Sequence, residues 1–237
     1  MNVLLLHAGR KAGNTYQLAR QLIAAFDLPE KSIRTLHFPD AFSDICTGCC
    51  SCIIKDEKLC PHAKNLNPVT AAIHWADVLV FAAPVYVYHT PGAIKNLLDH
   101  YGWQWMVHRP SPDMFKKQAV CLTTAAGAGM KSANRDIADS LRYWGIGRIY
   151  TYGQALYSLD WERVAHEKKN KIEKDLRALS KKIKRHQNRP IPSLRTKYKF
   201  YTMRIYHRRF SIPLDRAYWT AHGWLSGEKP WRQYGEK

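Results

Sequence analysis

The chain has 237 residues, with 37 Lys or Arg against 19 Asp or Glu, a formal net charge of +18. With 46% hydrophobic and 12% aromatic residues it can bury a core of its own, as one large domain or one domain with an appendage, and a disordered polycation is excluded. The longest apolar run, Val78 to Tyr88, is interrupted by Pro84 and is about half the roughly 20 residues of a spanning helix, so no transmembrane segment is expected.

Val3 to His7 reads as a first strand and Asn14 to Phe26 as a helix with Leu18, Leu22, Ile23 and Phe26 on one face. Ser32 to Phe38 is the second strand. After a cysteine-rich loop, a helix near Val69 to Trp75 leads into the strand Val78 to Ala82, whose continuous apolarity suits burial on both faces. A helix from Gly92 to about Tyr101, a strand Ala119 to Thr123, a helix from about Ser132 to Trp144 and a fifth strand within Arg148 to Tyr157 follow. Trp161, Val164, Ile172, Leu176, Leu179 and Ile183 recur at helical spacing, which predicts a last amphipathic helix from Asp160 to about Arg185. Strands alternating with helices specify β-α-β units around a parallel sheet in three layers. Near Pro190-Ile191-Pro192 the pattern ends, and a Tyr-, Trp- and Arg-rich extension begins. Met1-Asn2 leads directly into the first strand, without the features of a secretory signal, and the expected location is the cytoplasm.

Charge is uneven. Residues 1–150 carry 16 Lys or Arg against 11 Asp or Glu, and residues 151–237 carry 21 against 8. Five of the six cysteines, Cys46, Cys49, Cys50, Cys52 and Cys60, fall in one short window, too local to staple a fold of this size, so metal or redox chemistry is expected of them. Cys121 lies within a strand and is expected to pack.

Three loops at strand ends carry binding chemistry. Ala8-Gly9-Arg10-Lys11-Ala12-Gly13-Asn14-Thr15 opens a helix, so free N–H groups and the helix dipole favour an anion there. It is neither G-x-G-x-x-G nor a Walker sequence, and Asn14 acting only as a helix cap is the plain alternative. The loop Pro84 to Gly92 is stiffened by prolines and offers tyrosines to a flat heterocycle, unless these pack internally. Thr123 to Gly129 is small enough for close approach to a ligand. In a doubly wound sheet the crevice between the first and third strands is the ligand site.

Arg10-x-x-Gly13-Asn14-Thr15, then Pro84-Val85-Tyr86 with Gly92 and Lys95 to Asp99, then Thr124 to Gly129 together resemble the flavodoxin-like NAD(P)H-dependent FMN reductases over about residues 1–150. The resemblance implies a flavodoxin-like α/β fold, a five-stranded parallel sheet in the order 2-1-3-4-5 over residues 1–187, with residues 188–237 as an extension. It implies FMN as cofactor, NAD(P)H as co-substrate and a homodimer. Arg10, Asn14 and Thr15 would hold the phosphate, and Pro84, Val85, Tyr86, Thr124, Ala125, Gly127, Ala128 and Gly129 would flank the ring. Ala8 departs from the family by standing where a serine hydroxyl is usual.

Cys46-Thr47-Gly48-Cys49-Cys50-Ser51-Cys52 followed by Cys60 is similar to the motif of the iron-sulfur flavoproteins of this superfamily. By that resemblance Cys46, Cys49, Cys52 and Cys60 are the ligands of a [4Fe-4S] cluster and Cys50 is spare. Zinc completed by Cys60 or His62, and free or disulfide-exchanging thiols, are the alternatives. Asp215-Arg216-Ala217-Tyr218-Trp219, with Gly223-Trp224-Leu225, is similar to the ending of some flavodoxin-like oxidoreductases. It is expected to cover a sheet edge, the active site or a partner. The interleaved Arg195 to Phe210 segment leaves open contact with nucleic acid, which is not favoured, or with a membrane surface. Trp103, Trp105 and His108 form either an acceptor pocket or a dimer face.

The expected function is an oxidoreductase passing reducing equivalents from NAD(P)H through FMN, with any cluster as a relay, to a small-molecule or protein acceptor. Hydride transfer to flavin requires no acid-base side chain, so no catalytic residue is assigned. The alternative class is a non-enzymatic electron carrier, or an anion- or nucleic-acid-binding module built on the basic extension.

Overall fold

Leu4, Leu6, Leu79 and Phe81 point to one side of the central sheet and Val3, Leu5, Val78 and Val80 to the other, the period of two that a strand imposes. The computed structural model describes residues 1–187 and 191–232. Five strands, β1 (Val3–Ala8), β2 (Ile33–Phe38), β3 (Val78–Pro84), β4 (Gln118–Ala125) and β5 (Arg148–Ala155), are all parallel and lie in the order β2-β1-β3-β4-β5. This is the flavodoxin-like arrangement. The three inner strands read as unbroken apolar runs because helices cover both faces. The first face takes α3 (Ala63–Trp75), α4 (Gly92–Asp99) and α5 (Met130–Tyr143), and the second takes α1 (Asn14–Ala25) and α6 (His166–Gln187). Cys121 is fully buried in the sheet and burial pushes its thiol up to about 12, so it packs.

Three elements differ from expectation. Helix α3 begins at Ala63 and contains Pro68; the proline falls early in the helix and does not end it. Helix α6 begins at His166, because residues 158–165 form turns, closed by Val164 N–H to the Trp161 carbonyl, that bring the segment after β5 over the carboxyl edge of the sheet. A single turn, α2 (Ser51–Ile54), lies within the cysteine segment.

The expected domain boundary at 187/188, and Pro190 of the break, lie outside the described residues. Beyond them the extension forms α7 (Leu194–Arg209) and α8 (Pro213–Ala221). Phe200, Trp219 and Trp224 are buried with Met106 and Phe115 in a third apolar cluster. Within the Asp215-to-Trp219 motif, the polar atoms of Asp215, Tyr218 and Trp219 turn to residues 108–110. Arg109 Nη1 donates to Asp215 Oδ1 (2.5 Å), and His108 Nδ1 lies 2.7 Å from Asp215 Oδ2. Trp219 Nε1 donates to the His108 carbonyl (2.8 Å), and the Tyr218 hydroxyl donates to the Pro110 carbonyl (2.9 Å). His108 is thus occupied by the extension, and Trp105 stacks on Tyr143 with centroids 4.3 Å apart.

Candidate functional site

The carboxyl edge of the sheet gathers the loops after β1, β3, β4 and β5. Gly9, at φ +107°, turns the chain out of β1 so closely against β3 that a Cβ there would meet Pro84 Cγ at 2.9 Å. Gly13 precedes α1, and among the described residues no side chain caps this helix. Its first N–H groups, which have no intrahelical acceptor, and its positive dipole end therefore face the cleft. Asn14 is not the cap: its Nδ2 donates to the Ser158 carbonyl (2.7 Å). Arg10 Nη2 donates to the Leu159 carbonyl (3.0 Å). The Thr15 and Thr124 hydroxyls share a buried 2.6 Å hydrogen bond, and the Val85 N–H donates to the Thr124 carbonyl (2.8 Å), which ties the first, third and fourth loops together.

Arg10, Asn14, Thr15, Pro84, Val85, Tyr86, Thr124 and Ala125 line one cavity of about 250 Å³. Gly127, Ala128 and Gly129 do not line it. Gly127 and Ala128 are exposed at the loop tip. Gly129 (φ +96°) precedes α5, where a Cβ would meet Val85 Cγ1 at 2.6 Å, so its part is to let the fourth loop pack on the third. His7, Ser158 and Leu159 also line the cavity and were missed by the sequence reading. Larger cavities exist, about 680 Å³ between the cysteine segment, α3 and α8 and about 730 Å³ between α1 and α6. Among the described residues, the smaller cavity is where the strand-end loops meet the uncapped start of α1 and two unpartnered polar atoms. Asn14 Oδ1 and His7 Nε2 are both buried without a hydrogen-bond partner among the described residues.

Beyond Pro84, Tyr86 and His89 exchange both backbone hydrogen bonds at 3.0 Å around Val87 (φ +48°) and Tyr88 (φ +66°). Two consecutive left-handed residues are what a type I′ turn requires, and a β-branched residue there is strained. Asp136 of α5 pins the turn, accepting from the Thr90 N–H (3.1 Å) and lying 3.0 Å from His89 Nδ1. The tyrosines are not packed internally: Tyr86 is 52% and Tyr88 65% exposed.

His7 Nδ1 lies 3.2 Å from His37 Nδ1. Burial, then repulsion from His37, lowers the His7 pKa to about 4. The imidazole therefore enters the cleft neutral at pH 7. The unfolded chain protonates His7 near 6.5 and the folded chain only near 4, so the unfolded state binds the extra proton between these values and stability is lost as pH falls through that window. His7→Gln is expected to shrink the loss in urea-unfolding free energy between pH 7 and pH 4.5 by roughly 2–3 kcal/mol. An unchanged loss would exclude His7 as the titrating group.

In the cysteine segment, Cys46, Cys49 and Cys50 are exposed, and Cys52 and Cys60 are half-buried. Burial raises the Cys52 pKa, and the charges of Cys60, Cys46 and Cys49 raise it further. Cys50, left-handed at φ +57°, turns away and donates to the Gly48 carbonyl (3.3 Å). Hydrogen bonds from Ser51 lower the Cys49 pKa. Among the described residues no three His, Cys, Asp or Glu side chains are gathered as a single ion requires. Arg109 fastens the segment from below, donating to the carbonyls of Cys52 (2.5 Å) and Ile53 (3.0 Å).

Residues 1–160 match the family model for NADPH-dependent FMN reductase. The chain belongs to the NADPH-dependent FMN reductase family. The matched region includes every loop of the cleft and the whole cysteine segment. Among curated relatives of this family member is an iron-sulfur flavoprotein of Archaeoglobus fulgidus, 23% identical over 146 residues, which are 60% of this chain and 62% of the relative. The chain thus spans about three fifths of that relative's length. Similar solved structures include a flavone reductase (12% identity, TM-score 0.57, 78% of this chain and 63% of that one). Another is an FMN-dependent NADH-azoreductase from Bacillus anthracis in complex with FMN (9% identity, TM-score 0.55, 76% of this chain and 99% of that one). At these identities the structures show the shared fold.

Proposed function

We propose that this chain is an oxidoreductase that holds FMN in the cleft at the carboxyl edge and passes reducing equivalents from NAD(P)H to a small-molecule or protein acceptor. The observation that carries this reading is the start of α1, uncapped by any described side chain and opening into a cavity with Arg10 and the unpartnered Asn14 Oδ1. An uncapped helix end with a guanidinium suits a phosphate, and a buried orphan acceptor suits a hydroxyl such as those of a ribityl chain. The cavity of about 250 Å³ is just below the usual range for a whole ligand, which fits phosphate and ribityl inside and the ring at the rim beside Tyr86. Ala8 supplies no hydroxyl, so backbone N–H groups, Arg10 and Thr15 carry the anion.

Bound FMN supplies hydride acceptance from a nicotinamide and release of electrons to an acceptor. The protein's part is to anchor the phosphate with Arg10, Thr15 and the first N–H groups of α1, and to hold a ribityl hydroxyl on Asn14 Oδ1. It also sets the ring against Pro84, Val85, Tyr86 and the 124–129 loop, leaving one face accessible. The second site is a [4Fe-4S] cluster on Cys46, Cys49, Cys52 and Cys60, which would add one-electron transfer. A half-buried Cys52 that feels the charges of Cys60, Cys46 and Cys49, with no three side chains among the described residues gathered for one ion, suits a cluster, whose ligands stand further apart than the four of a zinc ion. A homodimer pairing the exposed turns at Val87 and Tyr88 completes the proposal.

Purified protein is expected to bind FMN, quenching its fluorescence, and to bleach on addition of NADPH. Arg10 is exposed and its side chain reaches only the Leu159 carbonyl among the described residues, so Arg10→Ala is expected to keep the fold. Loss of one charged hydrogen bond to phosphate should weaken FMN by roughly 10–100-fold. Colourless protein that takes up no FMN and shifts DNA at moderate salt would favour the binding-module reading.

A further inference from the structure

Helix α7 is buried on one side and carries exposed apolar residues on the other. Thr196, Phe200 and His207 form its buried face, against the third core cluster. At 3.6 residues per turn, Leu194, Tyr198, Tyr201 and Ile205, spaced four, three and four apart, make a second stripe roughly 150° away from the first. These residues are 83%, 75%, 38% and 56% exposed. Phe210 and Ile212 in the turn after α7, and Leu214 in the first turn of α8, are exposed as well. Scattered apolar residues on a surface are ordinary, but a row along one helix face marks an interaction site.

The stripe is flanked by positive charge. Between Leu194 and Arg209 there are six Lys or Arg and no Asp or Glu. Several of these side chains are held to the sides. Lys199 Nζ lies 3.7 Å from the Tyr143 ring centroid, Arg204 donates to the Glu228 carbonyl (2.5 Å), and Arg208 donates to the Leu225 carbonyl. Their partners are carbonyls and aromatic rings. Among the described residues no cation of α7 forms a salt bridge with a carboxylate. Among the described residues, then, no ion pair neutralises the charge beside the stripe.

A second copy of α7 would bring two uniformly cationic helices together, and like charges across an interface oppose it. A nucleic acid would answer the charges and leave Leu194 and Ile205 in water. An anionic bilayer answers both: acyl chains receive the apolar stripe, phosphate head groups meet the cations, and tyrosine rings sit at the boundary between them. No helix among the described residues is long and apolar enough to cross a membrane, so the contact is one of lying on the surface. We propose that the outer face of α7 docks on anionic phospholipid.

The test is co-sedimentation of the full chain with vesicles of phosphatidylcholine, with and without phosphatidylglycerol. Binding is expected to the anionic vesicles alone and to weaken with salt. The double variant Tyr198→Ser, Ile205→Ser alters only exposed positions and keeps every cation, and it is expected to lose at least about tenfold in vesicle affinity while binding heparin as the parent does. Three results would overturn the proposal. The first is no binding to anionic vesicles at low salt. The second is a double variant that binds them as the parent does, which would make charge alone responsible. The third is a parent dimer in sedimentation that the double variant splits, which would give the face to a second copy.

Discussion

Asp215→Ala is expected to cost about 3–5 kcal/mol of stability, a fall in Tm of roughly 10 °C. Asp215 is 1% and Arg109 6% exposed, so removing the carboxylate leaves a buried guanidinium without its counter-ion. Its other carboxylate, Glu57, lies at 3.8 Å on the surface and cannot replace the lost 2.5 Å bond. Arg109 also holds the carbonyls of Cys52 and Ile53, so the damage should pass from the extension to the cysteine segment and raise the alkylation rate of half-buried Cys52. Replacing both charges, Asp215→Leu with Arg109→Met, should recover part of the loss, since an absent pair costs less than a broken one. A Tm within about 2 °C of the parent for Asp215→Ala, where several kcal/mol should move it far more, would show that the pair does not join the extension to the domain.

Iron content divides the cysteines. Protein purified without oxygen is expected to carry iron and sulfide, Cys52→Ser and Cys49→Ser to lose them, and Cys50→Ser to keep them. Cys52 is half-buried, and its pKa is raised by burial and then by the charges of Cys60, Cys46 and Cys49, whereas Cys50 turns its thiol to Gly48. The three variants are chemically alike and differ only in place, so a general loss of stability would not sort them in this way. Full iron in Cys49→Ser or Cys52→Ser would refute the ligand set, and stoichiometric zinc in the parent would favour a mononuclear site.

The alternation of apolar runs and helical spacings carried the sheet, its four helical crossovers and the three loops whose Arg10, Thr15, Pro84, Tyr86, Thr124 and Ala125 meet in one cavity. These signals are legible because burial on two faces or one writes a period into the residues themselves. Other features leave no such trace. Ser158 and Leu159 build the fourth wall of the cleft through backbone carbonyls, which any residue possesses. His7 sits inside an apolar strand, and its unpartnered Nε2 is visible only once the cleft opens beside it. The helix α7 escaped periodicity because apolar residues on both its buried and its exposed side cancel in a pattern that looks for one face.

By itself, then, the sequence determined the fold class, the order of the elements and the residue types at the strand ends, since local periodicity and glycine placement are properties of neighbouring positions. Only the tertiary structure decided that Asp215 reaches Arg109 across 106 positions, that Asn14 braces a neighbouring loop instead of capping its helix, and that the tyrosines after Pro84 face solvent. These depend on which distant groups are left to satisfy one another's charge and hydrogen bonds after the layers have packed, and pairing at long range has no spacing along the chain to announce it.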